Sequence, residues 1–224
     1  MPPDVFLLPP FFDYGATLCW AVSGALVGAR RGYDLVGVFI LALVSSTGGG
    51  LLRDGLFLQE GTPLLLRTPE YLSLVGFATA CVMIFGKRLT SLPGFQRIVV
   101  LFDALGLGAY AVVGMNLSLV KGLNIPAAML VGMVNATGGG ILRSAISGRE
   151  PHLFRPGKFE AVAALVGCGV YMTLRQGLAT SPTVAAWITI AVVFVVRMGS
   201  VVYGVSTSAV NSFKDEWGQD RPLP

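Results

Sequence analysis

Charge is scarce in this sequence. Only 12% of its 224 residues are Asp, Glu, Lys or Arg, against about 25% in an ordinary soluble domain. Histidine is scarcer still. The one copy, His152, stands in a loop with no cysteine or second histidine nearby, so no zinc ligand set can be drawn around it. The three cysteines, Cys19, Cys81 and Cys168, are odd in number and lie in apolar stretches without framework spacing. They read as packing residues and not as disulfides. No basic run exceeds two residues (Arg30-Arg31, Lys87-Arg88) and the net charge is only +4, which leaves nucleic acid little claim as a partner. The start, Met1-Pro2-Pro3-Asp4, lacks the basic n-region of a cleaved leader, so the first apolar segment is expected to remain in place. No nucleophile–base pair or metal set can be assembled, and an enzyme is set aside on that ground.

What is abundant is apolar: 54% of the residues, with a mean hydropathy of +0.71. Seven segments are long enough to cross about 30 Å of hydrocarbon: 12–29, 34–54, 70–87, 98–120, 124–146, 158–176 and 183–206. Prolines punctuate the short loops between them, and a polar tail over 207–224 is expected outside the bilayer. The basic residues of the loops are unequal. One side carries Arg30, Arg31, Lys87, Arg88, Arg97, Arg149, Arg155, Lys158, Lys214 and Arg221, the other Arg67, Lys121 and Arg175. The richer side belongs in the cytoplasm. The expectation is a multi-pass protein of the inner (plasma) membrane, N-terminus outside and C-terminus cytoplasmic. Trp20 and Trp187 read either as interface aromatics or as core.

Two of the apolar segments contain a glycine triplet, Gly48-Gly49-Gly50 and Gly138-Gly139-Gly140, 90 residues apart. Each has Thr before it (Thr47, Thr137) and Leu-Arg after it (Leu52-Arg53, Leu142-Arg143). Glycine costs about 1 kcal/mol relative to alanine in a helix interior, so the triplets predict that the second and fifth helices are broken or kinked there. Freed carbonyls in such a break need a partner: a helix, water or a passing ion. Close helix packing through small residues is the other reading. A P-loop is excluded, because no Gly-Lys-Ser/Thr ending follows.

The match at an offset of 90 extends beyond the triplets. Phe12-Asp13 falls on Phe102-Asp103, Gly24 on Gly114, Arg31-Gly32 on Lys121-Gly122 and Asp34 on Asn124. A two-residue deletion then brings Pro63-Leu64-Leu65-Leu66-Arg67 onto Pro151-His152-Leu153-Phe154-Arg155. The chain is thus read as one transmembrane domain over 1–206, with repeats at 12–88 and 98–176 and a seventh helix at 183–206. Three spans per repeat is an odd number, so the second copy is inverted, as in several transport folds. Asp13 and Arg53 should meet at one membrane face, Asp103 and Arg143 at the other, giving two ion pairs. Interfacial anchoring of the four charges is the plainer alternative. Ser45 and Asn135 are equivalent polar positions before the triplets and would add oxygens to the same path. Lys121 ends the fourth segment, either as a solvated end or as a gating or lipid contact. Arg197 lies inside the seventh and must snorkel, find a carboxylate or meet another subunit.

The twin Thr-Gly-Gly-Gly-x-Leu-Arg motifs, the Pro-x-Leu-Leu/Phe-Arg that follows, and the two three-span repeats with a seventh helix resemble the TRIC family of trimeric intracellular cation channels, in its prokaryotic branch. The likeness covers roughly residues 12–206. It implies a homotrimer with a pore in each subunit, lined by the second and fifth helices, passing K⁺ and also Na⁺. It implies no resident cofactor, with lipid as an additional ligand. One departure stands out: the first copy reads Arg53-Asp54, the frequent family form, and the second reads Arg143-Ser144. The functional expectation is a monovalent cation channel. In it, glycine carbonyls and the Thr47 and Thr137 hydroxyls replace part of an ion's hydration shell. The alternative is a secondary transporter of glycine or a similar small zwitterion, for which inverted repeats also serve.

Overall fold

The computed structural model describes residues 9–59, 61–91, 93–149 and 160–203. Among them every regular element is helical. The long helices are α1 (Phe11–Arg30), α2 (Leu35–Leu52), α3 (Pro69–Thr90), α4 (Phe95–Val120), α5 (Ile125–Ile146), α6 (Glu160–Met172) and α7 (Pro182–Val202). A single turn, Leu64–Arg67, leads into α3. α2 and α6 each end in a wider π-helical stretch, Arg53–Leu58 and Thr173–Gly177. Among the described residues, five helical segments are long and apolar enough to cross a membrane: Leu35–Leu58, Pro69–Arg88, Arg97–Val120, Ile125–Ile146 and Pro182–Val202. The expected tail at 207–224 and the 151–155 end of the repeat match lie outside the described residues.

The duplication visible in the sequence is present in the local structure. Asp34 caps α2 by accepting from the Gly37 amide at 2.8 Å, and Asn124 caps α5 by accepting from the Ala127 amide at 3.0 Å. Each cap satisfies an amide that the first helical turn leaves without a partner. α1 and α4 end alike too. Gly32 and Gly122 hold φ of 73° and 84°, a left-handed conformation that glycine adopts without a Cβ penalty. The following amides, of Tyr33 and Leu123, turn back to the carbonyls of Gly28 and Ser118. This is a Schellman closure, and it makes each helix pair an αα-hairpin.

The helices pack in the same duplicated way. α1 lies on α2 and α3, α4 lies on α5 and α6, and α1 also lies on α4. α7, outside the repeat, covers α4 and α6. The apolar core falls into two clusters, one centred on the first half and one centred on the second half that also takes in Phe12, Ala16 and Trp20 of α1. One is built around Ala25, Leu26, Val38 and Val75, the other around Leu107, Met115, Tyr171 and Val193. Gly24 leaves room for Ser45 across the first hairpin, and its equivalent Gly114 leaves room for Asn135 across the second: a Cβ there would stand 2.4 Å from Ser45 Oγ and 2.5 Å from Asn135 Cβ.

The two halves join where α2 crosses α5, at the glycine triplets. A Cβ on Gly49 would lie 1.9 Å from the Asn135 carbonyl oxygen, and one on Gly139 would lie 2.0 Å from that of Ser45. Gly48 faces Leu142, and Gly138 faces Leu52. Exchanging each residue for its equivalent, 90 positions away, turns the pair 49 with 135 into 139 with 45, and the pair 48 with 142 into 138 with 52. The contact is therefore self-complementary, as a twofold axis requires. One number rises as the other falls, so the helices run antiparallel and the second repeat is inverted.

At this crossing the structure departs from expectation. α-Helical geometry continues through Gly48–Gly50 and Gly138–Gly140, so the triplets do not break the helices. The carbonyls of Gly49 and Gly50 accept from the Arg53 amide and are not freed. The helical cost of glycine is offset by an approach of backbone to backbone that any Cβ would block. In the second triplet more than one face is occupied, whereas a Cβ on Gly50 of the first would meet only Arg53 Nη2, at 3.7 Å. Gly138 and Gly139 face α2, while Gly140 faces the Trp20 ring, which a Cβ would meet at 3.1 Å. The irregularity falls one step later, in the π-helical stretch that begins at Arg53.

Gly49→Ala and Gly139→Ala should each lower the thermal stability of the purified protein, by about 1–3 kcal/mol, the usual range for overpacking. Gly15→Ala, where nothing lies within 4 Å of the added methyl, should leave it unchanged or slightly raised. Equal melting temperatures for Gly49→Ala and the wild type would refute the close crossing.

Candidate functional site

Buried polar and charged residues collect at the two ends of the α2–α5 crossing. At one end the α2 helix widens at Arg53, and both Arg53 and Asp54 are buried. The Arg53 guanidinium grips the neighbouring carboxylate, Nε to Oδ1 at 2.7 Å and Nη2 to Oδ2 at 3.2 Å. Its Nη1 reaches across to Asn135 Oδ1 on α5 at 3.4 Å. Asp13, the expected partner, instead accepts from the Tyr71 hydroxyl. It lines the same cavity as Arg53 without a direct bond to it. The outer pair of the sequence reading is thus replaced by one within α2, because Asp54 is adjacent and the π turn aims both side chains inward.

At the other end the expected pair forms. Arg143 binds Asp103 in two parallel bonds, Nη2 to Oδ2 at 2.9 Å and Nη1 to Oδ1 at 3.0 Å. Ser23 completes the cluster: its hydroxyl donates to Asp103 at 2.6 Å and accepts from Arg143 at 2.6 Å. The guanidinium also lies 5.2 Å from the centre of the Trp20 ring, in cation–π range. Here the residue after the arginine is Ser144, which cannot neutralise it, so Arg143 must find its carboxylate on another helix. A buried arginine without a partner would cost several kcal/mol.

Between the ends lie the hydroxyls. Thr47 and Thr137 donate to the carbonyls of Leu43 and Met133, at 2.7 and 2.9 Å. Ser45 donates to Leu41 at 2.6 Å. Their protons are engaged, which leaves oxygen lone pairs as the free function. Asn135 uses its amide to donate to the Tyr110 carbonyl at 2.8 Å. Tyr110 occupies the position equivalent to Trp20. Its hydroxyl donates to the Ser46 carbonyl and stands 2.8 Å from Thr17 Oγ1.

A narrow cavity runs from the Arg53 end toward the crossing, walled by Asp13, Ser46, Thr47, Gly50, Asp54 and Tyr110 among others. About 20 Å³ of it is open to the centre of a water molecule, room for about one water. A wider vestibule of about 330 Å³ shares Asp13, Arg53 and Tyr71 with it and continues past Asn116, Leu117 and Val120. Among the described residues no three His, Cys, Asp or Glu side chains gather as metal ligands.

The remaining charges have definite places. Lys121 caps α4 at an exposed position on the Arg53 side. Arg197 is buried and pairs with Glu160 at 2.5 Å, joining α7 to the start of α6. Of the alternatives left by the sequence, the carboxylate partner is the one found. Residues absent from the sequence reading of the site are Tyr71, Ser23, Tyr110, Trp20 and Glu160. The repeat offset could have paired Trp20 with Tyr110. Nothing in the sequence pointed to Ser23 or Tyr71, whose roles arise from contacts between separate helices.

The sequence matches the family described as Glycine transporter over residues 10–87 and 100–176, the two repeats. A UPF0126 membrane protein of Deinococcus radiodurans is 36% identical over 165 residues, 73% of this chain and 75% of that one. The UPF0126 inner membrane protein YadS of Escherichia coli is 25% identical over 199 residues, 87% of this chain and 92% of its own. Among solved structures, the TRIC trimeric intracellular cation channel orthologue from Rhodobacter sphaeroides superposes with a TM-score of 0.79 at 28% identity, covering 87% of this chain and 97% of that one. A prokaryotic TRIC channel in 0.5 M KCl gives 0.78 at 27% identity, covering 86% and 95%.

The Arg143 cluster yields a test of its own. Asp103→Asn should cost about 3–5 kcal/mol, the range for stranding a buried charge. Adding Arg143→Met should recover much of the loss. Both effects are read as melting temperatures in detergent, and a single variant as stable as the double would remove the pair from the fold's energetics.

Proposed function

The chain belongs to the family described as Glycine transporter and has the fold of the TRIC channels, and from this premise we propose that it is a cation channel that passes K⁺ and also Na⁺. The observation that carries the reading is the water-sized cavity at the Arg53 end, where carboxylates and hydroxyl oxygens face a common space on the line of the α2–α5 crossing. Lone pairs on Thr47 and Ser46, with carbonyl dipoles, suit a dehydrating monovalent cation. Thr137 and Asn135 would continue the path past the glycines. Because the two backbones touch there, α2 and α5 must part for an ion to pass, and the glycine contact is the natural gate. The matched structures are channels and not enzymes.

The assembly in this reading is a homotrimer in the inner membrane, each subunit with its own path. Exposed Leu35, Val36 and Ile40 on α2 and Leu130 on α5 supply apolar surface for lipid or for a neighbouring subunit. Arg30, Arg31, Lys87, Arg88, Arg97 and Arg149 stand at helix ends on the Arg143 side, which supports a cytoplasmic Arg143 face and an outer Arg53 face. The apolar vestibule wall at Val113, Leu117 and Val120 would accept a lipid chain.

A second reading has support of its own. Asp13 and Arg53 line one vestibule, and a carboxylate beside a guanidinium matches the two ends of a small zwitterion such as glycine. The family description points the same way.

Purified protein in a planar bilayer separates the two. Under asymmetric KCl the channel reading expects discrete picoampere-scale steps with a cation-selective reversal potential. Thr47→Val, which keeps the shape and removes the oxygen, should reduce the unitary current. Saturable uptake of labelled glycine into liposomes without such steps would replace the channel with a carrier.

A further inference from the structure

The two ends of the path are built on one twofold plan but carry different charge. At the Arg53 end the Asp and Arg side chains lining the cavity are Asp13, Asp54 and Arg53, two carboxylates to one guanidinium. At the Arg143 end Asp103 and Arg143 cancel. The next pair along, Glu160 and Arg197, cancels as well. The difference traces to one position of the repeat, Asp54 in the first copy and Ser144 in the second.

We infer that Asp54 makes conduction asymmetric, drawing cations more readily through the Arg53 end than through the Arg143 end. Asp54 occupies Arg53 through both of its carboxylate oxygens. The one guanidinium therefore serves two carboxylates, and Asp13, which accepts from the Tyr71 hydroxyl, leaves the narrow cavity with one net negative charge. Surrounding low-dielectric walls focus such a charge along the path and raise the local concentration of cations. At the opposite end, among the described residues, no carboxylate is left over. Asp103 spends both oxygens on Arg143 and also accepts from Ser23. Cation flux from the Arg53 face is therefore favoured over flux in the reverse direction, and the single-channel current should rectify.

This inference rests on the channel reading, and its failure is distinct from the failure of that reading. In symmetric KCl the wild type should show unequal single-channel currents at equal and opposite voltages, by about twofold or more, a modest part of the about tenfold or greater enrichment that a charged cleft can produce. A channel inserted the other way inverts the ratio but keeps its size, so the larger current over the smaller is the quantity read. Asp54→Asn should return the ratio to unity, because Arg53 would then turn to Asp13 as Arg143 turns to Asp103. Ser144→Asp should do the same from the other side, by freeing Asp103 as Asp54 frees Asp13, and it remains informative if Asp54→Asn does not fold. Linear wild-type currents, or rectification that survives in both variants, would overturn the inference while leaving a channel. Absence of any current would instead overturn the channel.

Discussion

The structure depends on one contact, the antiparallel crossing of α2 over α5 at two glycine triplets. Backbone atoms approach so closely that a single methyl on Gly49 or Gly139 would overlap a carbonyl of the other helix. In a membrane, where lipid tails are as apolar as leucine, helices associate through such close packing and through polar bonds between them. The crossing supplies the first and positions the second. Asn135 reaches Arg53 from α5, and Tyr110 reaches the Ser46 carbonyl of α2 from α4. A close crossing is also bistable in principle, since packed interfaces shift between discrete arrangements and do not deform smoothly.

The twofold plan does not make the two ends equal. Each copy places an arginine three residues after its triplet, and burial obliges each arginine to find a carboxylate. Where Asp follows directly, the pair closes within one helix. Where Ser follows, it closes between α5 and α4, reinforced by Ser23 and the Trp20 ring. One end thus ties two helices together through charge, and the other leaves an aspartate to a tyrosine. A duplicated backbone plan thus carries two differently paired arginines.

Much of this was legible beforehand. The repeat and the Asp103–Arg143 pair follow from spacing, and the matched positions Asp34 with Asn124 and Gly32 with Gly122 turned out to be equivalent caps and turns. The triplets were read as breaks or kinks, with close packing as the other reading, because helix propensity is a local quantity, and the partner helix that offsets its cost lies some 90 residues away. The Asp13–Arg53 pair was expected for the same reason that Asp103–Arg143 was. It lost to the adjacent Asp54 once the π-helical stretch turned both groups inward.

The sequence by itself determined the membrane class, the seven segments, the duplication and its inversion, since apolar length, an odd span number and a 90-residue offset are properties of the chain alone. Only the tertiary structure decided what the glycines do, which carboxylate each arginine takes, and that Arg197 answers to Glu160. Those outcomes are competitions between partners brought together by packing. Buried charges are settled by whichever partner is nearest in space, and nearness in space is not written along the chain.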